Sequence, residues 1–279
     1  MARPGMSVRA ARYRRMPMAD TPSRDPRIRA FHCKPTTRPI RPMYEWLCPL
    51  IALLAGSVPF GLMIARAKGV DIREHGSGNI GATNVLRICG KKAGIACLAL
   101  DLLKGFLPVV LAVNLLQIEG RAVQVPAGFL AGWAHVAPPE EALRVQVIHI
   151  ITALAAVVGH NHSPWVGFRG GKGVATSAGV LLALMPFGVL MLLVVWLIVF
   201  LIWRYVSLAS VIAALSLPLM TLYGSWTHGR IQDGTWNKPL FVLAGAIALM
   251  VVWKHRSNLQ RLRVGNENRF EWRKKRANG

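Results

Sequence analysis

From Tyr44 onward the chain alternates long apolar runs with short polar islands, and the runs read as helices. Residues 174–203 carry no charge, and about 20 such residues at 1.5 Å each already cross a ~30 Å hydrocarbon core. A soluble core helix of ordinary length does not look like this, so the pattern predicts a polytopic membrane protein. Helices are predicted at about 46–65, 93–117, 145–160, 174–185, 187–203, 208–223 and 239–254. Two are drawn within 174–203 because its basic flanks, 169–172 and Arg204, belong on one side of a bilayer; Pro186 and Gly188 supply the turn. Residues 118–144 hold Pro126, Pro138 and Pro139 and predict an external loop with a partly buried segment at 126–136. The expected fold class is all-α, with seven transmembrane helices.

Charge orients this arrangement. The segments 66–92, 169–172, 204–207 and 254–279 hold eighteen Lys and Arg, whereas 118–144, 186–188 and 224–238 hold four. Positive residues stay inside, which puts the C-terminus in the cytoplasm, the N-terminus outside and all the polar islands on the cytoplasmic side. The net charge of +22 could suggest nucleic acid. Here the cations sit beside apolar spans with no nucleic-acid-binding motif, so no nucleic acid is expected. Residues 1–42 stand apart, with eleven Lys/Arg, two acids and seven prolines. They are expected to be a disordered basic extension, or an upstream start that is not the biological one. The membrane domain is expected at 43–270 and a basic cytoplasmic tail at 271–279. Cys33, Cys48, Cys89 and Cys97 show no metal-ligand spacing.

Three polar islands carry candidate chemistry. The first, 76–87, combines glycines, Gly78 among them, with the donors Ser77, Asn79, Thr83 and Asn84 and the bidentate fork of Arg87. Thr83 or Asn84 also suits a helix N-cap. The bland reading is a Gly/Asn turn between helices. In the second, Gly170, Gly171 and Gly173 frame Lys172, with a helix predicted to start at Gly173 or Val174. Backbone N–H groups and the positive helix end would add to the lysine charge on an anion. The spacing is not that of a nucleotide-binding GxxxxGK[ST] loop. The third island places His255 and Asn258 on one helical face, beside Arg256 and Arg261. His160 and His255 each end a span on the inner side. Ser207 and Ser210, after Arg204, could bind an anion or cap the sixth helix. Asp101 and Lys104, inside the second span, are expected to form an ion pair.

Neither His160, His162 nor His255 has an aspartate four or five positions on, no GxSxG elbow or carboxylate cluster for two metals occurs, and no cofactor or metal is expected. Chemistry built from Lys, Arg, His, Ser, Asn and glycine backbone suits anionic substrates, acting by positioning and charge neutralisation. A transporter of anionic phosphorylated metabolites is the alternative. It would call for polar residues through several spans, and apart from Asp101, Lys104 and Asn114 the spans are nearly empty of them.

The runs Ser77-Gly-Asn-Ile-Gly-Ala-Thr-Asn-Val-Leu-Arg87, GH…FRGGKGVAT at 159–176 and HRSNLQRLRVGNE at 255–267 resemble the signature motifs of the acyl-phosphate:glycerol-3-phosphate acyltransferases (PlsY-type). Asp101-Leu-Leu-Lys-Gly105 resembles them too, and the likeness covers about 43–270. It departs at His162, where the family often has an aromatic, and in longer loops at 118–144 and 224–238. The resemblance implies a seven-helix bacterial inner-membrane enzyme that makes lysophosphatidic acid from acyl phosphate and glycerol 3-phosphate. It implies that Ser77, Arg87 and the glycine loop hold the acyl phosphate, with Ser207 or Ser210 nearby, and that Lys172, His255 and Asn258 hold the glycerol phosphate. The hydroxyl proton would pass to the donor's own phosphate oxygen. His160 or His255 as general base is the rival assignment.

Overall fold

The structure is a computed structural model that describes residues 42–270 except 233 and 235; the expectations for residues 1–41 and 271–279 lie outside them. Ten α-helices are described: α1 Pro42–Ser57, α2 Phe60–Arg66, α3 Ala82–Cys89, α4 Lys91–Leu115, α5 Ala142–Asn161, α6 Val174–Leu184, α7 Pro186–Trp203, α8 Val206–Thr227, α9 Lys238–Lys254 and α10 Arg256–Arg263. The first expected helix is thus broken in two. Pro59 has no N–H and disfavours helical geometry at Val58. The Val58 carbonyl freed by the break accepts a hydrogen bond from Lys104 Nζ at 2.7 Å.

Among the described residues five stretches are long and apolar enough to cross a membrane: Met43–Arg66, Lys91–Leu115, Pro139–Val166, Pro186–Trp203 and Val206–Thr227. The α9/α10 pair, bent by 55°, makes a sixth if it counts as one span. Helix α6 has 11 residues, about 16 Å, and is too short to cross a ~30 Å core alone. Its first residue and the first turn of α8 line one cavity, so α6 and α7 leave and return to the same end of the molecule.

In lipid the hydrophobic effect does not press helices together, so close packing of small residues must. Helix α6 lies against α4 at Gly105 and Gly179. A Cβ on Gly179 would run into the Leu102 carbonyl, and one on Gly105 into the Thr176 carbonyl. The main core, including Ala52, Val109, Val157, Val180, Leu217 and Leu243, fills the space between α1, α4, α5, α6, α8 and α9.

The all-α expectation needs a correction in the loop at 118–144. Leu116–Ile118 and His135–Ala137 pair as two parallel strands, β1 and β2. Gly128–Trp133 between them is 3-10 helix. Three-residue strands are too short for alternation to be read from sequence. Asn114 anchors the loop: its Nδ2 donates to Val110 O and Val125 O, at 2.8 and 2.9 Å, and its Oδ1 accepts from Ala127 N at 2.7 Å.

Asp101 and Lys104 pair at 2.8 Å as expected, with side chains 3% and 4% exposed. Removing one partner of such a pair leaves an uncompensated buried charge, at a cost of about 3–5 kcal/mol. Lys104→Met is therefore expected to lower the melting temperature of the detergent-solubilised protein sharply. Lys104→Met combined with Asp101→Asn should recover most of the loss.

Candidate functional site

The polar islands converge on one cavity of about 600 Å³, with a basic rim and an apolar body between α4, α6, α7, α8 and α9. The first island builds one wall. Helix α3 begins at Ala82 with Gly81 as its N-cap and no side-chain cap, so neither Thr83 nor Asn84 takes the capping role expected of it. Asn84 has a different task. Buried, it accepts from Ser77 N at 3.0 Å and donates to the carbonyls of His75 and Asn79, both at 2.9 Å. One side chain thereby satisfies a loop that has little regular hydrogen bonding of its own. Gly78 sits at φ +66°, the left-handed region that only glycine enters freely. It shapes the turn and does not line the cavity, whereas Ser77, Asn79, Thr83, Asn84 and Arg87 do. Arg87 is exposed and donates to Asn268 O at 3.5 Å. Its partial burial pulls its pKa down from the ordinary guanidinium value, opposed by the charge of Glu267.

The second island is shaped by His160. Gly171 N donates to the His160 carbonyl at 3.2 Å. A Cβ at Gly171 would run into the imidazole, and one at Gly170 into the His160 carbonyl. These two glycines let the loop lie flat on the end of α5, and neither lines the cavity. Gly173 is left-handed at φ +78° and starts α6 at Val174, as expected. Lys172 and Gly173 face the cavity. Lys172 donates to Asn258 Oδ1. Burial, then repulsion from Arg261 and Arg87, outweighs attraction to Glu267 and lowers its pKa to about 8.

The third island turns between α9 and α10 at His255, which is buried. Its Nδ1 lies 2.8 Å from Val251 O. A carbonyl only accepts, so the proton is on Nδ1 and the neutral ring keeps its lone pair on Nε2. Asn258 receives Lys172 on one side and donates to Glu267 Oε1 at 2.7 Å on the other. Ser207 also donates to Glu267 Oε1, at 2.8 Å, and Arg261 donates to its other oxygen at 3.0 Å. Burial pushes the Glu267 carboxyl up, but these three donors outweigh it, so its pKa lies below the usual glutamate value. Ser210 donates to Val206 O at 2.8 Å and receives Trp196 Nε1 at 3.2 Å. Neither serine caps α8, which starts from Tyr205.

His160, His255, Ser207, Ser210 and Asn258 all line the same cavity. Sequence reasoning missed Glu267 and the proximity of His160 Nδ1 to Asp101 Oδ1, 3.7 Å. The His–Asp contact joins α5 to α4, beyond any local spacing. Glu267 had a signal, since it is the one acid in the motif run 255–267.

An apolar helical bundle with a buried, cation-lined recess at one end is the architecture of a membrane enzyme or carrier acting on anions. The family model for glycerol-3-phosphate acyltransferase matches residues 46–265, and the chain belongs to that family. The glycerol-3-phosphate acyltransferase of Geobacter sulfurreducens is 40% identical over 228 residues, 81% of this chain and 98% of the relative. That of Desulforudis audaxviator is 42% identical over 225 residues, 80% and 94% of the two chains. The crystal structure of PlsY, an integral membrane glycerol 3-phosphate acyltransferase, in its glycerol 3-phosphate form superposes with a TM-score of 0.64 at 36% identity. It covers 81% of this chain and 96% of that one. The lysophosphatidic acid form gives a TM-score of 0.63 at the same identity, covering 81% and 95%.

The Lys172 pKa of about 8 sets a pH dependence. Below that pH the ammonium is present and attracts anions; as pH rises through it the charge is lost. Glycerol 3-phosphate binding to the purified protein is expected to weaken from pH 7 to 9. Lys172→Arg, whose charge persists throughout, should abolish that slope whatever its absolute affinity.

Proposed function

We propose that this glycerol-3-phosphate acyltransferase takes its acyl group from an acyl phosphate and delivers it to the 1-hydroxyl of glycerol 3-phosphate. The products are lysophosphatidic acid and inorganic phosphate, in the first acylation of phospholipid synthesis. The observation that carries this reading is the cavity itself: phosphate-binding groups at one end, continuous with an apolar body large enough for part of a fatty chain. That the PlsY structures are glycerol 3-phosphate and lysophosphatidic acid forms supports the choice of acceptor and product.

Ser77, Arg87 and the loop carrying Gly170, Gly171 and Gly173 hold the donor's phosphate, with Ser207 and Ser210 beside it. Lys172, His255 and Asn258 hold the acceptor's phosphate. The acceptor hydroxyl oxygen bonds to the acyl carbon, the bond from that carbon to the phosphate oxygen breaks, and phosphate leaves. Phosphate is already a good leaving group, so no acyl-enzyme is needed, and positioning with charge neutralisation suffices. The hydroxyl proton goes to an oxygen of the departing phosphate; His160 or His255 is the competing base. If His160→Ala alone abolishes turnover at saturating substrate while binding survives, the phosphate-as-base assignment fails.

Seven passes, counting the short α6 with its partner α7, would place the rim of the cavity at the cytoplasmic face of a bacterial inner membrane. The lysine and arginine asymmetry supports this orientation. Cysteines introduced at Ser77, Lys172 or His255 should resist a membrane-impermeant thiol reagent applied from outside intact cells. Labelling there would overturn the orientation.

The activity is tested with purified protein, palmitoyl phosphate and radiolabelled glycerol 3-phosphate. Labelled lysophosphatidic acid is expected, with loss of about 10²–10³-fold in turnover for Arg87→Ala or Lys172→Ala, the usual cost of removing a group that meets developing charge. Uptake of the label into liposomes without lipid product would instead identify a transporter.

A further inference from the structure

The body of the cavity has an open flank and a closed end. Its wall includes Ile95 and Leu98 in the first turns of α4 and Leu193 midway along α7, exposed by 54%, 49% and 49%. That flank faces the bilayer. Away from that flank the lining changes to Leu217 of α8, Ile247 of α9 and Leu181 of α6, exposed by 1%, 2% and 4%. Leu217 lies ten residues along α8 from Ser207, and Ile247 eight residues along α9 from His255. At 1.5 Å per residue these separations are about 15 and 12 Å, so two independent helices place the closed end at similar depth.

Resting on the acyl-transfer reading above, we propose that Leu217, backed by Ile247 and Leu181, is the stop that sets how long an acyl chain the cavity encloses. A chain of matching length ends against Leu217 and is buried throughout. A longer one must displace packed side chains, since protein interiors hold few voids, or send its end out between α4 and α7. The first route costs packing, and the second leaves the last methylenes in lipid, where they make no contact with the cavity wall. A shorter chain leaves the end unfilled. Leu217 is suited to this because it is the most buried of the three and points into the cavity from a helix whose start carries Ser207.

The test compares kcat/KM for lauroyl, myristoyl, palmitoyl and stearoyl phosphates, with glycerol 3-phosphate saturating. Leu217→Ala deepens the closed end and is expected to move the preference toward longer donors by about tenfold in the long-to-short ratio. Leu217→Trp should move it the other way by a similar factor, the scale of discrimination that one or two methylenes give in an apolar pocket. The KM for glycerol 3-phosphate should stay unchanged in both. Ile247→Ala and Ile247→Phe approach the same stop from the opposite wall and take over if the Leu217 variants do not fold. Folded variants with the wild-type chain-length profile would overturn the stop while leaving acyl transfer standing. A wild-type protein that yields no lysophosphatidic acid from any of the four donors would instead overturn the underlying reading.

Discussion

Cations gathered in the wall of a poorly solvated recess repel one another, and here burial, with the repulsion of Arg261 and Arg87 added to it, depresses the pKa of Lys172. The carboxylate of Glu267 allows the cluster to exist. It accepts from Ser207 on α8 and from Asn258 and Arg261 on α10. Asn258 then passes the contact on to Lys172 in the loop before α6. Three parts of the chain far apart in sequence are thus tied by one acid with its oxygens shared among charged and neutral donors. Such bonds are stronger than neutral ones and more costly to leave unmade. The balance stays positive around the recess, so an incoming phosphate still meets unneutralised charge.

A second constraint comes from lipid. Irregular backbone within a membrane protein is tolerated only where protein or a polar cavity satisfies it, and each break in the bundle has its own partner. The Val58 carbonyl at the α1/α2 break takes Lys104, which Asp101 holds in place. The turn into α6 leans on the His160 carbonyl, and Lys254 caps the neighbouring carbonyl of Asn161 at 2.7 Å. The loop before α3 is knotted by Asn84. Polar side chains inside this protein therefore mostly serve backbone, and those left facing the cavity are correspondingly few.

What could be read in advance follows from this division. Apolar runs announce helices because nothing else survives in hydrocarbon, and α4 through α9 begin and end within a few residues of where hydropathy puts them. The start of α6 at Val174, after Gly173, was legible for a similar reason, since a glycine before an uncharged run marks where the helix begins. Less legible was the task of each island residue. Asn84 looked like a donor for ligand or a cap and proved to be a loop tie. Gly170 and Gly171 looked like a cradle, and nothing in their spacing showed that they also give clearance to His160. Their meaning depends on neighbours from other helices, as does the approach of Asp101 to His160. The β1/β2 pair was invisible because three residues carry no period.

The same division explains how one small bundle can serve both a lipid-soluble and a water-soluble compound. Polar anchoring is confined to one end, where glycine loops and helix starts bring backbone donors close to Lys172 and Arg87. The rest of the cavity is built from helices held together by packing, with one flank left unclosed between α4 and α7. On the proposed reading, phosphate groups fix where reaction occurs and the apolar body only has to accept a chain. The two demands fall on different residues. Changes at Leu217 or Ile247 can therefore alter what is accepted without disturbing the Glu267 network that keeps the charged end assembled.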